Sequence, residues 1–424
     1  MHDGQRKEKR IKNLLAGAAI AMLIALVGSA AARTTIVISC GAIGREHDDC
    51  REGAKAWEKK TNNRVTVLQT STSSTDRLDS YQKDFAEKFN NADVIQIDVV
   101  WVNILSEHLL DFTIVNSDEK AIELSDKFRK NAKNNSLIAI PWINSVGQLY
   151  YRPDILKRYR LEVPETWEDL VSSSKIIMDG ERREGDEKCR RSMWGYVFQG
   201  HAYEGLTVNA LEWLHSYNAG GIIEANGQIS INNPEAVKVL SLVRSWIDDI
   251  SPCDVLTYTE EDARDMFQSG KAVFMRNWPY ACRLLTDVES VLKDKSKVGV
   301  IQLPKGGPGG KRTGATGGEL LAVSRYSNKQ KEAVALVHHL VEWQEKRREK
   351  DVNALCKDSE NLRLDPPLDR PSGVTGVRYD RVSEAFWRTV HTVLSGRGDA
   401  VSELGRLERT LDRIMHGGRR VGRE

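Results

Sequence analysis

Two kinds of hydrophobic spacing alternate near the start of the chain. Residues 34–39 (TTIVIS), 64–69 (RVTVLQ) and 93–99 (DVIQIDV) are short β-branched runs that predict strands, while residues 52–60 and 76–90 between them read as helices. That order predicts a parallel α/β sheet, in which ligands sit at the carboxyl ends of the strands. Residues 70–76, Asp98 and Trp101 stand at such ends. Further on, residues 138–151 (IAIPWINSVGQLYY) run from one apolar strand through a small-residue turn into another. Thr166, followed three residues later by Asp169, predicts a helix start. Longer helices are expected over residues 204–219, 233–250, 260–269, 329–344, 383–394 and 400–415. A strand over 272–276 (AVFMR) leads into Asn277-Trp278-Pro279-Tyr280.

The 424 residues are 40% hydrophobic and 29% charged, an ordinary globular mixture long enough for two or three domains. Lys and Arg number 62 against 60 for Asp and Glu, so the chain lacks the field that a nucleic-acid partner requires. Residues 1–32 add a different kind of signal. Arg6, Lys7, Lys9, Arg10 and Lys12 precede an apolar run of 14 residues (14–27) and the small residues Ser29, Ala30, Ala31 and Ala32, the three-part pattern of a secretory signal peptide. The run is short against the ~18–20 residues that cross a bilayer, so export to the periplasm is expected rather than an uncleaved anchor. An oxidising compartment permits disulfides among Cys40, Cys50, Cys189, Cys253, Cys282 and Cys356. Cys40 and Cys50 are near enough in sequence to tie a strand end to the following helix, and the connectivity stays open. No C-x-x-C pair or metal-ligand spacing occurs among them, and neither metal nor cofactor is expected.

Most motif candidates dissolve on their spacing. The glycine-rich stretch 306–318 (GGPGGKRTGATGG) has Lys305 where a phosphate loop places its first glycine, and Arg312 where a magnesium-binding Ser or Thr belongs; it predicts a mobile surface loop. His338-His339 lacks zinc-protease spacing and reads as helix packing, and Arg397-Gly398-Asp399 reads as a turn. No nucleophile elbow or EF-hand loop is present. What remains are aromatics beside polar groups at predicted strand ends: Asp98 with Trp101, Trp142 with Asn144 and Ser145, and Trp278 with Tyr280. A sugar ring offers apolar C–H faces and a rim of hydroxyls, so flat aromatic surfaces with convergent polar groups predict a carbohydrate site.

The same segments carry a family resemblance. DVIQIDVVW, AIPWINSVGQLYYRPDIL followed by VPETWEDL, YEGLTVNALEW, MFQSGKAVFMRNWPYA, TGGELLAVSRYS and RPSGVTGVRYDRVSEAFW occur in an ordered series over about 300 residues. In that series the chain resembles the periplasmic solute-binding proteins of sugar ABC importers, in particular the maltose/trehalose-binding group. The resemblance implies an α/β, two-lobed periplasmic binding protein fold (type II-like), with hinge-linked lobes and ligand held in the cleft. Residues 33–143 plus 276–322 would form the first lobe and 144–275 plus 323–424 the second, with crossings near 142–145, 276 and 321–323. It implies a monomeric receptor, not an enzyme, that delivers a carbohydrate to membrane permease subunits. Carried over by motif, Asp98 would accept from ligand hydroxyls, Trp278 and Tyr280 would stack, Gly318 would offer a backbone contact and Arg370 would donate to ligand oxygens. Thr72, Arg77 and Glu46 fall where the group has polar contacts.

Two departures bear on the ligand. Where the group commonly reads PWFTDAG this chain reads PWINSVG, with Ile143 at an aromatic position and Ser145 at a carboxylate; where it reads GGW, Gly317-Gly318-Glu319 exchanges an indole for a carboxylate. A lost ring face removes about 0.5–1.5 kcal/mol of specific contact. The expectation is therefore a ligand other than plain trehalose or maltose, such as a modified or cationic sugar, with Glu319 as acceptor. A secreted glycoside hydrolase with Asp98 and Glu319 as paired carboxylates is the competing expectation, and a sensory receptor a third.

Overall fold

The computed structural model describes residues 33–115, 136–287, 292, 294–307, 309–350, 355–356, 359 and 368–417, so the expected signal peptide lies outside the described residues. Strand β1 (Thr35–Cys40) buries Ile36 and Ile38 and pairs in parallel with β2 (Arg64–Gln69) and β3 (Val94–Asp98), as the spacing predicts. Helices α1 (Glu46–Thr61) and α2 (Ser74–Ala86) connect them. The first turn of α1 carries Glu46, Asp48 and Asp49, which suits the positive end of the helix dipole. Ser73 caps α2 by accepting from Asp76 N at 3.3 Å.

Strand β4 (Ile140–Val146) completes its run in this sheet, and one residue later β5 (Gln148–Tyr151) belongs to a second sheet. The second lobe follows with α3 (Trp167–Gly180), β6 (Trp194–Val197), α4 (Glu204–Ser216), α5 (Pro234–Trp246), α6 (Glu260–Gln268), β7 (Ala272–Asn277) and β8 (Gly299–Gln302). Thr166 and Asp169 form the expected capping box of α3. The chain then returns as β9 (Thr316–Val323), which runs antiparallel between β3 and β4. The sheets are thus β2-β1-β3-β9-β4 and β6-β7-β5-β8, both mixed rather than purely parallel.

This topology moves two expected boundaries. Residues 276–287 and 294–302 stay with the second lobe, because β5 pairs with β7 on one side and β8 on the other. Residues 330–349 stay with the first, because α7 (Gln330–Glu349) packs Leu336, Val337 and Leu340 into the cluster that holds Ile36, Ile38 and Trp57. Gly53 of α1 lies close against it: a Cβ there would lie 2.6 Å from Leu340 Cδ2. Only after α7 does the chain cross for good, and α8 (Tyr379–Leu394) and α9 (Ala400–His416) pack with the second lobe's core. The glycine-rich stretch also departs from expectation in its second half. Thr313, Gly314 and Ala315 are buried and Thr316–Gly318 forms the start of β9, since these small residues lie against the facing lobe. Arg397-Gly398-Asp399 is a turn, with Asp399 capping α9 through Ser402 N at 2.9 Å.

Trp167, Tyr196, Trp213 and Trp246 interlock at the centre of the second lobe, Trp213 and Trp246 edge to face with ring centroids 6.0 Å apart. Three disulfides, Cys40–Cys50, Cys189–Cys253 and Cys282–Cys356, use all six cysteines. The first ties the end of β1 to α1, as the sequence allows; the last joins Cys356 to Cys282 in the second lobe. Replacing Cys282 and Cys356 by Ser, which opens a closure with a sequence separation of 74, is expected to lower the unfolding free energy by about 2–4 kcal/mol. Urea unfolding measures it, and an unshifted midpoint would show that the bridge constrains nothing.

Candidate functional site

The ends of β3, β4 and β9 face the second lobe across a cavity of about 310 Å³. The first lobe contributes Glu46, Asp98, Asn144, Ser145, Gly318 and Glu319; the second contributes Glu204, Glu260, Trp278 and Tyr280, and Arg370 comes from the segment leading into α8. Asp98, the last residue of β3, sits directly opposite Glu319 of β9. Two carboxylates in that relation repel, and both are largely buried. Each is met by an arginine.

Arg370, 5% exposed, donates to both oxygens of Asp98 (2.6 and 3.1 Å) and to Glu204 Oε1 at 2.9 Å. Glu204 opens α4 of the second lobe and accepts as well from Tyr379 and Ser383, each at 2.5 Å. Arg370 therefore fastens one lobe to the other. Burial alone would lower its pKa, but Asp98, Tyr379 and Glu204 outweigh that and hold it well above the ordinary value. Arg77, 2% exposed, donates to Glu319 Oε1 at 2.7 Å and lies 3.9 Å from Glu46 Oε2. Gln96 donates to the same Glu46 oxygen at 3.0 Å.

The aromatic walls are fixed from behind. Arg276, held by Glu212 at 2.6 and 2.9 Å, stands 3.9 Å from the ring centroid of Trp278. Tyr280 donates to Glu261 Oε1 at 2.7 Å, which also accepts from Gly44 N of the first lobe at 3.1 Å. A Cβ on Gly44 would lie 2.3 Å from the Tyr280 ring. Gly318 has φ +141°, and a Cβ there would meet Ile143 O at 2.4 Å, so the close approach of β9 to β4 requires glycine.

Nine of the expected site residues line the cavity: Asp98, Trp278, Tyr280, Gly318, Glu319, Arg370, Asn144, Ser145 and Glu46. Trp142, Thr72 and Arg77 do not. Trp142, 3% exposed, falls on the face of β4 that joins the apolar cluster of α7. Thr72 is exposed in the loop before α2. Arg77 lies behind Glu319, which takes up its guanidinium. Trp101 is likewise a core residue, edge-on to Tyr81.

Comparison with known proteins decides the family. Residues 48–342 match the family described as Bacterial extracellular solute-binding protein. A Deinococcus radiodurans protein named Probable ABC transporter-binding protein is 38% identical over 409 residues, covering 91% of this chain and 95% of its own. The chain belongs to the bacterial extracellular solute-binding proteins. The solved structure of maltose-bound T. maritima MalE3 matches with a TM-score of 0.78 at 30% identity, over 90% of this chain and 100% of that one. MalE from Bdellovibrio bacteriovorus bound to maltotriose, 16% identical with a TM-score of 0.72, covers 90% of this chain and 99% of its own and shares the fold.

A solute-binding protein of this family is an extracytoplasmic, non-enzymatic component of an ABC importer, which implies permease subunits as partners. That sets aside the hydrolase expectation for Asp98 and Glu319. Glu204 and Glu260 escape the sequence reading. Each is the first residue of a helix, where an acidic side chain ordinarily serves the helix dipole and signals nothing further. Their position after a loop facing the cleft is the only signal that could have singled them out.

The solute-binding protein carries an unusual load of buried acid here. Burial pushes Glu46 up to about 8, aided by the facing charges of Glu319 and Glu260 against Arg77 and Gln96. Glu319, Glu260 and Glu204 are raised by burial as well. An acid with a raised folded-state pKa keeps its proton longer in the folded chain, so its contribution to stability falls as pH rises from the unfolded value to the folded one. His215, His339 and His391, pushed down by burial, act below about pH 6.5 with the opposite sign. Between about pH 6.5 and 8.5 the protein is therefore expected to lose thermal stability, and Glu46→Gln to lose less of it. An equal decline in both would remove Glu46 as the cause.

Proposed function

We propose that this chain is the carbohydrate receptor of its importer, exported by its N-terminal signal peptide to the periplasm, where it acts as a monomer. Its ligand is a disaccharide or short oligosaccharide of the trehalose or maltose kind, in modified form, passed to the permease unchanged. The observation that carries this reading is the pairing of Trp278 and Tyr280 with Asp98, Glu46 and Glu319 in one cavity between the lobes. Indole and phenol rings cover the apolar faces of a pyranose, and the carboxylates accept from its hydroxyls. A volume of about 310 Å³ suits a ligand of that size. The maltose in the similar T. maritima protein supports the same class.

Asn144, Ser145 and the Gly318 backbone complete the polar rim. Arg370 directs the Asp98 and Glu204 carboxylates through its two terminal nitrogens, while its Nε makes no hydrogen bond. Since a sugar touching both lobes gains contacts only when they meet, it favours the closed arrangement, and equal affinity for both states would shift nothing.

Calorimetric titration of the mature protein with trehalose, maltose, maltotriose and their modified analogues tests this. At least one is expected to bind at micromolar affinity or tighter and to be recovered unchanged. Trp278→Ala is expected to weaken that binding by roughly 30-fold, about 2 kcal/mol. Absence of heat with every sugar would reject the reading.

A further inference from the structure

Two strands run from lobe to lobe through the back of the cavity, and one buried side chain holds both where they leave the second lobe. Glu212 of α4 is 1% exposed. Its Oε1 accepts from Ala315 N at 2.9 Å and its backbone carbonyl from the Thr313 hydroxyl at 2.8 Å, so the segment leading into β9 is tied twice. Gly147, the residue between β4 and β5, passes so near that a Cβ there would collide with Glu212 Oε1, and its N–H donates to Ala315 O at 3.2 Å. The same carboxylate takes up Arg276, which lies against the Trp278 ring. Ala315 is packed in the second lobe's apolar core, and Thr316 N reaches Leu368 of that core.

The place where both connections can bend lies just beyond these ties. Asn144 and Ser145 of β4 pair with Gly318 and Gly317 of β9, and all four line the cavity. Hinges absorb their rotation at a few residues where one body ends and the next begins, and the paired glycines restrict it least. Trp278 of the second lobe touches this ribbon: a Cβ on Gly317 would lie 2.7 Å from Trp278 Cζ3 and 2.8 Å from Ser145 Oγ.

We propose that Glu212 is a positioning residue for ligand binding: it sets the bend between the lobes at Asn144–Ser145 and Gly317–Gly318, inside the cavity, and through Arg276 it holds the Trp278 ring against that bend. Neither Glu212 nor Arg276 lines the cavity, so both act through Trp278 and the ribbon. A guest resting on Trp278 thereby meets the moving part directly, and the ring it rests on is fixed by the residue that anchors the hinge. The guest is taken from the carbohydrate reading, on which this proposal rests. Encounter takes place with the lobes apart, whereas escape requires them to part, so a loosened anchor acts on koff rather than kon.

The test is stopped-flow fluorescence of the mature protein with trehalose, maltose and maltotriose, which separates kon from koff, beside amide hydrogen exchange of the ligand-free protein. Glu212→Gln keeps an acceptor for Ala315 N and removes the charge that holds Arg276. It is expected to raise koff of a sugar that binds by about tenfold, with kon within about twofold of the wild type. In a Trp278→Ala background the same change is expected to move koff by less than about twofold, whereas a merely structural role would act alike in both backgrounds. Thr313→Val releases one strand tie without leaving a charge unpaired; it is expected to raise koff about threefold and decides the matter if Glu212→Gln fails to fold. If koff is unchanged, or rises equally with and without Trp278, the proposal is overturned and the carbohydrate reading survives. If no sugar binds, the carbohydrate reading is rejected and hydrogen exchange decides the anchor. The Gly147 and Ala315 amides are expected to exchange at least about tenfold more slowly than those of Gly317 and Gly318, and equal rates would overturn it.

Discussion

Asp98 and Glu319 stand opposite one another on neighbouring strands, and both are nearly buried. Two carboxylates so placed each need a cation, since removing an ion from water carries a penalty of several kcal/mol unless a partner restores it. The positions of those cations organise the molecule. Arg77 rises from α2 of the same lobe and settles Glu319. Arg370 arrives from the far end of the chain, on a segment held beside β9 by the Thr316 N to Leu368 O bond at 2.8 Å, and settles Asp98. Because Arg370 also holds Glu204, neutralising an acid in the first lobe ties down the start of a helix in the second.

That arrangement explains why the ligand wall is acidic and yet ordered. Each arginine has a partner from the protein, which aims the carboxylates, and Glu319 Oε2 and the Nε of Arg77 and of Arg370 are left without a hydrogen bond. The aromatic side follows the same logic: Glu212 fixes Arg276, Arg276 lies against Trp278, and Glu261 joins Tyr280 to the Gly44 loop of the first lobe. Rings and acids are both positioned by ion pairs or hydrogen bonds one layer removed from the cavity. A solute-binding protein has to release its ligand, and a site whose shape is set by contacts between lobes loosens when the lobes part.

Much of the fold was legible in local pattern. The TTIVIS, RVTVLQ and DVIQIDV runs, the caps at Thr166 and Asp399, and the helices around 204, 260 and 400 follow from spacing and capping chemistry. What escaped is non-local. Gly317 and Gly318 look like loop residues until β4 and the facing lobe are placed against them, and nothing in AVFMR says that its partner strands lie at 148–151 and 194–197. The candidate site behaved similarly. Asp98, Trp278, Tyr280 and Arg370 were recoverable through motif resemblance, whereas Trp142 misled because an indole beside polar neighbours is equally at home in a core. Arg77 misled in a different way: its charge is real, but Glu319, the residue that departs from the family pattern, absorbs it.

The account's central claim is that the carboxylates and aromatic rings of two lobes converge on one guest, with arginine ion pairs bracing the closed form. Small-angle X-ray scattering of the mature chain, without ligand and with a saturating sugar, tests it most directly. The account predicts a smaller radius of gyration in the presence of the sugar, with a profile that approaches the structure described above. Profiles that superimpose with and without a sugar shown to be bound would contradict it.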